Sequence, residues 1–272
     1  MSQTQLFFRL LSVEWVRISR RPLLWITVVG SASYPALSLG NFYSLNRDRL
    51  LSGALKMPGA SFDLANSLDQ LVVAIPLLII LSGMGIGDDF GQHTNRLWLI
   101  RSPRASSLLA KLLVLSAVTV AIQVLALLAG GALGLYYKTY VYRMADVLNV
   151  DWLAVLSAVG YMTLVNLPYL ALALAVGVWL RSTFFGILGT LGYSLFVETL
   201  LTAIFFNAGW VRWLITNVHF SASYLLNLIG GRSVEAPSRL LAPHLALALA
   251  AAYTVALLAV AILIYRRQDI RS

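Results

Sequence analysis

Six stretches of this 272-residue chain are apolar over lengths that can cross a lipid bilayer, and no other feature limits the possible folds as much. They run Leu23–Leu39, Leu68–Ile86, Leu108–Tyr136, Trp152–Leu180, Phe184–Phe206 and Pro243–Tyr265. At a rise of about 1.5 Å per residue, some 20 helical residues cross the roughly 30 Å of hydrocarbon. Inside lipid the backbone must satisfy its own polar groups, so each stretch becomes a helix. Hydrophobic residues make up 59% of the chain and charged residues 11%. Soluble domains carry roughly 45–50% and about 25%, so no soluble core would hide this much apolar surface. The expected fold is all-α and integral to the membrane: a single domain over residues 1–272 with six transmembrane helices. The third and fourth stretches exceed what a bilayer needs and are expected to tilt or extend past it.

The formal net charge of +9 would suggest a nucleic-acid partner in a soluble protein. Here the cations sit at the ends of apolar runs, so no nucleic-acid partner is expected and membrane lipids are. With the N-terminus inside, the cytoplasmic pieces hold Arg9, Arg17, Arg20, Arg21, Arg96, Arg101, Arg104, Lys111, Arg181, Arg266, Arg267 and Arg271. The external pieces hold Arg47, Arg49, Lys56, Lys138, Arg143, Arg212, Arg232 and Arg239. The bias favours both termini in the cytoplasm. The arginine-rich start lacks a small-residue cleavage site before its first apolar run, and reads as a retained cytoplasmic segment. There is no cysteine, which excludes disulfides, thiolate metal sites and cysteine nucleophiles.

Three segments between or before the spans have a character of their own. Residues 1–22 form an amphipathic interfacial helix in which Phe7, Leu11, Trp15 and Ile18 recur at helical spacing while Arg9, Arg17, Arg20 and Arg21 avoid that stripe. Pro22 then interrupts the backbone where the chain turns into the membrane. The helix reads as a surface anchor or as a mechanical elbow. Residues 207–242 are long for a structureless loop and rich in Trp210, Trp213, Phe220 and Tyr224, which predicts an interfacial or re-entrant helical hairpin on the external face. The loop after the second span, about residues 87–107 and reaching Lys111, gathers Leu97, Trp98 and Ile100 among Asp88, Asp89, Arg96, Arg101 and Arg104. An apolar face with a charged rim suits docking into a partner's groove, and equally suits anchoring to headgroups.

Catalytic chemistry is harder to find. No G-x-x-x-x-G-K-[ST] phosphate loop, no H-E-x-x-H and no G-x-S-x-G is present. His93, His219 and His244 lie far apart without metal-ligand spacing, so neither enzyme activity nor a metal site is expected. Gly83, Gly85 and Gly87, like Gly186, Gly189 and Gly192, read as small-residue helix packing rather than a dinucleotide fingerprint. Glu198 stands alone within the fifth span, where an ionised, lipid-facing carboxylate costs at least about 2.5 kcal/mol. It therefore either lines a hydrated path, with Asn166 and Tyr193 as companions, or makes an inter-helix hydrogen bond to Asn166 or Tyr169.

Three motifs give the chain a family likeness. Glu14-Trp15-Val16-Arg17-Ile18-Ser19-Arg20-Arg21-Pro22 supplies an acidic residue, a basic cluster and a proline. Asp89, Thr94, Pro103, Arg104 and Lys111 follow the second span, and Tyr265-Arg266-Arg267-Gln268-Asp269-Ile270 closes the chain. In this order the chain resembles the ABC-2 type permeases, the membrane subunits of many bacterial exporters. It departs from their pattern in having Asp89 for a commoner glutamate, His93 for glycine, and Arg104 directly after Pro103. The resemblance implies a subunit of the bacterial inner membrane that pairs with a second copy or a paralogue. It implies that Asp88, Asp89, Thr94, Leu97, Trp98, Arg101 and Arg104 form a coupling helix that docks a separate cytoplasmic ATPase. ATP and Mg would be bound by that partner, with no cofactor in this chain. It also implies that the second and fifth spans line the path, near Glu198. A non-transporting membrane scaffold and an enzyme acting on lipid-linked substrates are the alternatives.

Overall fold

The computed structural model describes residues 3–91, 104–143, 150–229 and 240–267. In chain order its helices are α1 (Gln3–Ser19), α2 (Pro22–Leu45), α3 (Arg47–Leu51), α4 (Ala60–Asp69) and α5 (Ala74–Gly91). There follow α6 (Arg104–Tyr136), α7 (Trp152–Leu180), α8 (Thr183–Leu191), α9 (Glu198–Ile204), α10 (Ile215–Ile229) and α11 (Pro243–Arg267). No strand occurs among the described residues. A 3-10 turn, Gln70–Val73, joins α4 to α5, and π-helical turns Tyr137–Val141 and Gly192–Val197 extend α6 and join α8 to α9.

Among the described residues six helical units are long and apolar enough to cross a membrane: Pro22–Leu45, Ala60–Ile86, Ala105–Val141, Trp152–Leu180, Thr183–Ile204 and Pro243–Arg267. The chain is thus a multi-pass membrane protein. The first three units run further than the apolar runs alone indicate, and the second and third take in Asp63 and Lys138. A charged residue ends an apolar run when read locally. Here each lies inside a helix because the other neutralises it.

The fourth span, α7, is the central post, with Leu170, Ala171, Ala173, Leu174 and Val178 wholly buried. Against it pack α5, α6, α8, α10 and α11. Small residues bring these backbones together. A Cβ on Gly186 would lie 2.8 Å from Gly177 Cα, and one on Gly83 2.5 Å from Ile187 Cγ1. Lipid tails are as apolar as leucine, so close backbone approach supplies the packing energy that burial cannot. The fifth and sixth spans lie at the periphery, where Phe184, Phe196, Ile204, Val255 and Leu263 are exposed.

The N-terminal helix α1 lies against the bundle differently from its apolar stripe. The residues it buries are Leu10, Glu14 and Ile18, spaced one turn apart, with Leu11 packed beside them. Trp15 and Phe8 point outward. The buried line runs through a carboxylate, and the reason lies in a distant part of the chain.

Candidate functional site

That carboxylate belongs to a polar clamp at the membrane face where α1 lies. Lys111, buried on α6, donates from Nζ to Glu14 Oε1 at 2.8 Å and to the Gly85 carbonyl at 3.0 Å. Arg17 Nη1 reaches the same Glu14 oxygen at 3.3 Å, and Arg21 Nη2 donates to the Met84 carbonyl at 3.4 Å. One cation therefore joins three elements: α1, the end of the second span and the start of the third. Removing the Lys111 charge would leave the buried Glu14 carboxylate with Arg17, at 3.3 Å. Glu14 Oε2 is buried without a hydrogen-bond partner among the described residues. Of the interfacial residues named from sequence, Glu14, Arg17 and Arg21 meet in this clamp, whereas Trp15 and Arg20 face outward.

At the opposite face a second ion pair is built on glycine. Asp63 pairs with Lys138, both buried, and Tyr43 donates from its hydroxyl to the other Asp63 oxygen at 2.7 Å. A Cβ on Gly134 would stand 2.1 Å from Asp63 Oδ2, and one on Gly130 1.8 Å from Ser67 Oγ. Asp63 and Ser67 on α4, one turn apart, thus fit the flat strip of Gly130 and Gly134, with Lys138 one turn further along. The Tyr43 ring stacks on Tyr137 at 5.0 Å. Burial, with Tyr137 beside it, holds the Tyr142 phenol above its ordinary pKa, and the protonated hydroxyl donates to the Tyr43 carbonyl at 2.8 Å. Sequence reading missed this cluster because Asp63 falls before the second apolar stretch, which begins at Leu68, and Lys138 counts among the cations of the external pieces. The signal was the four-residue spacing of Gly130, Gly134 and Lys138 against that of Asp63 and Ser67.

Glu198 is wholly buried. Its Oε1 accepts from the Ile215 amide at 3.0 Å and its Oε2 from the Thr216 amide at 2.9 Å, and from the Thr216 hydroxyl as well. The carboxylate occupies the N-terminus of α10, where unpaired amides and the helix dipole favour negative charge. Tyr169 reaches Glu198 only through Thr216 Oγ1, at 3.1 Å. Asn166 is buried, and its Oδ1 has no hydrogen-bond partner among the described residues. Tyr193 lies on the π-helical turn that precedes Glu198 and packs in the same cluster as Tyr169. Glu198 is therefore held at the N-terminus of a later helix, by two backbone amides and the Thr216 hydroxyl, and not by the Asn166 or Tyr169 side chain.

The proposed docking residues Thr94, Leu97, Trp98 and Arg101 lie outside the described residues, as does the expected coupling helix itself. Asp88 and Asp89 fall at the end of α5 and Arg104 at the start of α6, on the two helices that the Glu14–Lys111 clamp joins. No group of three or more potential metal ligands occurs among the described residues.

A family model described as "Protein of unknown function (DUF2705)" matches residues 50–271. The chain belongs to the DUF2705 family. No curated protein matches it. The DUF2705 match takes in Asp63, Lys111, Lys138 and Glu198 and begins after α2, so Glu14 and the rest of α1 precede it.

Proposed function

We propose that this chain is the transmembrane subunit of an ATP-driven exporter, working as a dimer and coupled to separate cytoplasmic ATPase subunits. The observation that carries the reading is the clamp of Glu14, Lys111 and Gly85, with Arg21 on Met84. It makes one mechanical unit of α1 and the two helices flanking the Asp88–Lys111 loop. A docking loop that transmits movement needs such a stiff base. The chain has no phosphate-binding loop, so any ATP-driven role requires a partner. Asp88, Asp89, Thr94, Leu97, Trp98, Arg101 and Arg104 form the docking surface in this reading, and Glu198, Asn166 and Tyr193 lie near the substrate path. Both termini lie in the cytoplasm, and the membrane is the bacterial inner membrane.

The test is co-purification. Solubilised in mild detergent from its own host, the unmodified chain is expected to retain a soluble ATPase. Burying an indole in a partner's groove makes Trp98 the candidate anchor, and its truncation costs about 2 kcal/mol, or roughly thirtyfold in affinity. Trp98→Ala should release the ATPase while the chain stays folded. Trp152→Ala, at the opposite end of the bundle, should keep it. Retention of the ATPase by the Trp98 variant places the docking surface elsewhere. Absence of any ATPase from the unmodified chain removes the exporter reading in favour of a scaffold or an enzyme.

A further inference from the structure

Residues 205–229, the irregular segment and α10 that follow the fifth span, are held to the spans in an uneven way. Four side-chain hydrogen-bonding groups of the spans meet this hairpin at its inner tip, residues 213–217. Glu198 of the fifth span takes the Ile215 and Thr216 amides. Thr202, also of the fifth span, accepts from Asn217 Nδ2 at 3.0 Å. Tyr169 of the fourth donates to Thr216 Oγ1 at 3.1 Å, and Tyr253 of the sixth donates to the Trp213 carbonyl at 2.6 Å. Glu198 lies six residues before the end of its span at Ile204, so the tip sits about 9 Å inside that end.

Beyond the tip, α10 packs on α4, α7 and α11 through Val218, Ala222 and Leu226, each almost fully buried. That face is poorly satisfied. His219 is buried with no hydrogen-bond partner for Nε2 among the described residues, and the buried Tyr224 hydroxyl likewise has none. Ser221 and Ser223 turn their hydroxyls back onto carbonyls of their own helix, and Ser221 Oγ also accepts from the Leu241 amide, beyond the hairpin, at 3.1 Å. Each orphaned polar group costs free energy in the closed arrangement and regains a partner once water reaches it. The hairpin thus combines a strongly bonded tip with a body that gains hydration by leaving.

We propose that residues 205–229 form a lid that swings away from the bundle as a unit, and that the Glu198 carboxylate is its latch. Opening exposes the faces of the fourth and sixth spans that α10 covers. The inference stands on the hairpin's own contacts and does not depend on the export reading.

The chain has no cysteine, so Ala222→Cys introduces a single thiol on the covered face of α10, and Ala126→Cys places one in the core of the third span. Each is treated in detergent micelles with a water-soluble maleimide, and the labelling rate reports the opening equilibrium at that site. Glu198→Gln removes the charge from bonds to two amides and a hydroxyl. It should speed labelling at position 222 about tenfold while position 126 stays protected. An unchanged rate at 222, or equal acceleration at 222 and 126, overturns the proposal. The second result would mean that the whole bundle loosens. Tyr253→Phe and Thr202→Val release the tip from the sixth and fifth spans without touching the carboxylate, and keep the test available if Glu198→Gln does not fold. Each should accelerate labelling at 222 alone, by about threefold to tenfold for one neutral hydrogen bond. No acceleration in either overturns the latch.

Discussion

Two buried carboxylate–ammonium pairs stand near opposite ends of the spans, Glu14 with Lys111 and Asp63 with Lys138. A buried pair is roughly neutral for stability against apolar residues of the same volume, but breaking it is costly. Lys138→Met should therefore lower stability by about 3–5 kcal/mol, because Asp63 would keep its charge in a site cleared for it by Gly130 and Gly134. Adding Asp63→Asn removes that charge and leaves an acceptor for the Tyr43 hydroxyl, so the double variant should recover much of the loss. Reversible unfolding in mixed micelles measures both. A double variant no more stable than Lys138→Met would show that the pair does more than neutralise itself.

Between residue and bundle, α1 is the element whose role differs most from its pattern. Its apolar residues Phe7, Leu11, Trp15 and Ile18 would serve a helix lying in the lipid interface. The packed face is instead Leu10, Glu14 and Ile18, so α1 is held by the protein as well as by the membrane. Glu14→Gln should free it without unfolding the spans. Amide exchange in α1 should rise about tenfold, the loss expected for one charge-assisted contact, while exchange in α7 is unchanged. Trp15→Ala, on the outward face, should leave α1 exchange as it is. If Trp15→Ala loosens α1 and Glu14→Gln does not, lipid rather than the clamp holds the helix.

For the whole molecule, the alternation of six spans puts α1, the end of α5, the start of α6 and the end of α11 at one face, and α3 and the start of α7 at the other. In the proposed orientation the first face, which carries the excess of cations, is the cytoplasmic one. Single cysteines test this against no background. On intact cells a membrane-impermeant thiol reagent should label Ser52→Cys and spare Ser102→Cys. The reverse pattern would invert the orientation, and labelling of both would place the two segments on one side.

The sequence by itself determined the number of spans and the helical class. Each follows from local composition: a long apolar run has to enter lipid, and a backbone in lipid has to be helical. Glu198 was legible as a buried group for the same reason, since no lone carboxylate is stable against hydrocarbon. What neutralises each charge was decided by tertiary structure alone. Lys111 meets Glu14 from 97 residues away, Lys138 meets Asp63 from 75, and Glu198 meets backbone amides that carry no side-chain signature. Those pairings depend on which helices touch and at what depth, and they in turn let the second and third spans run past charges at which a local reading stops.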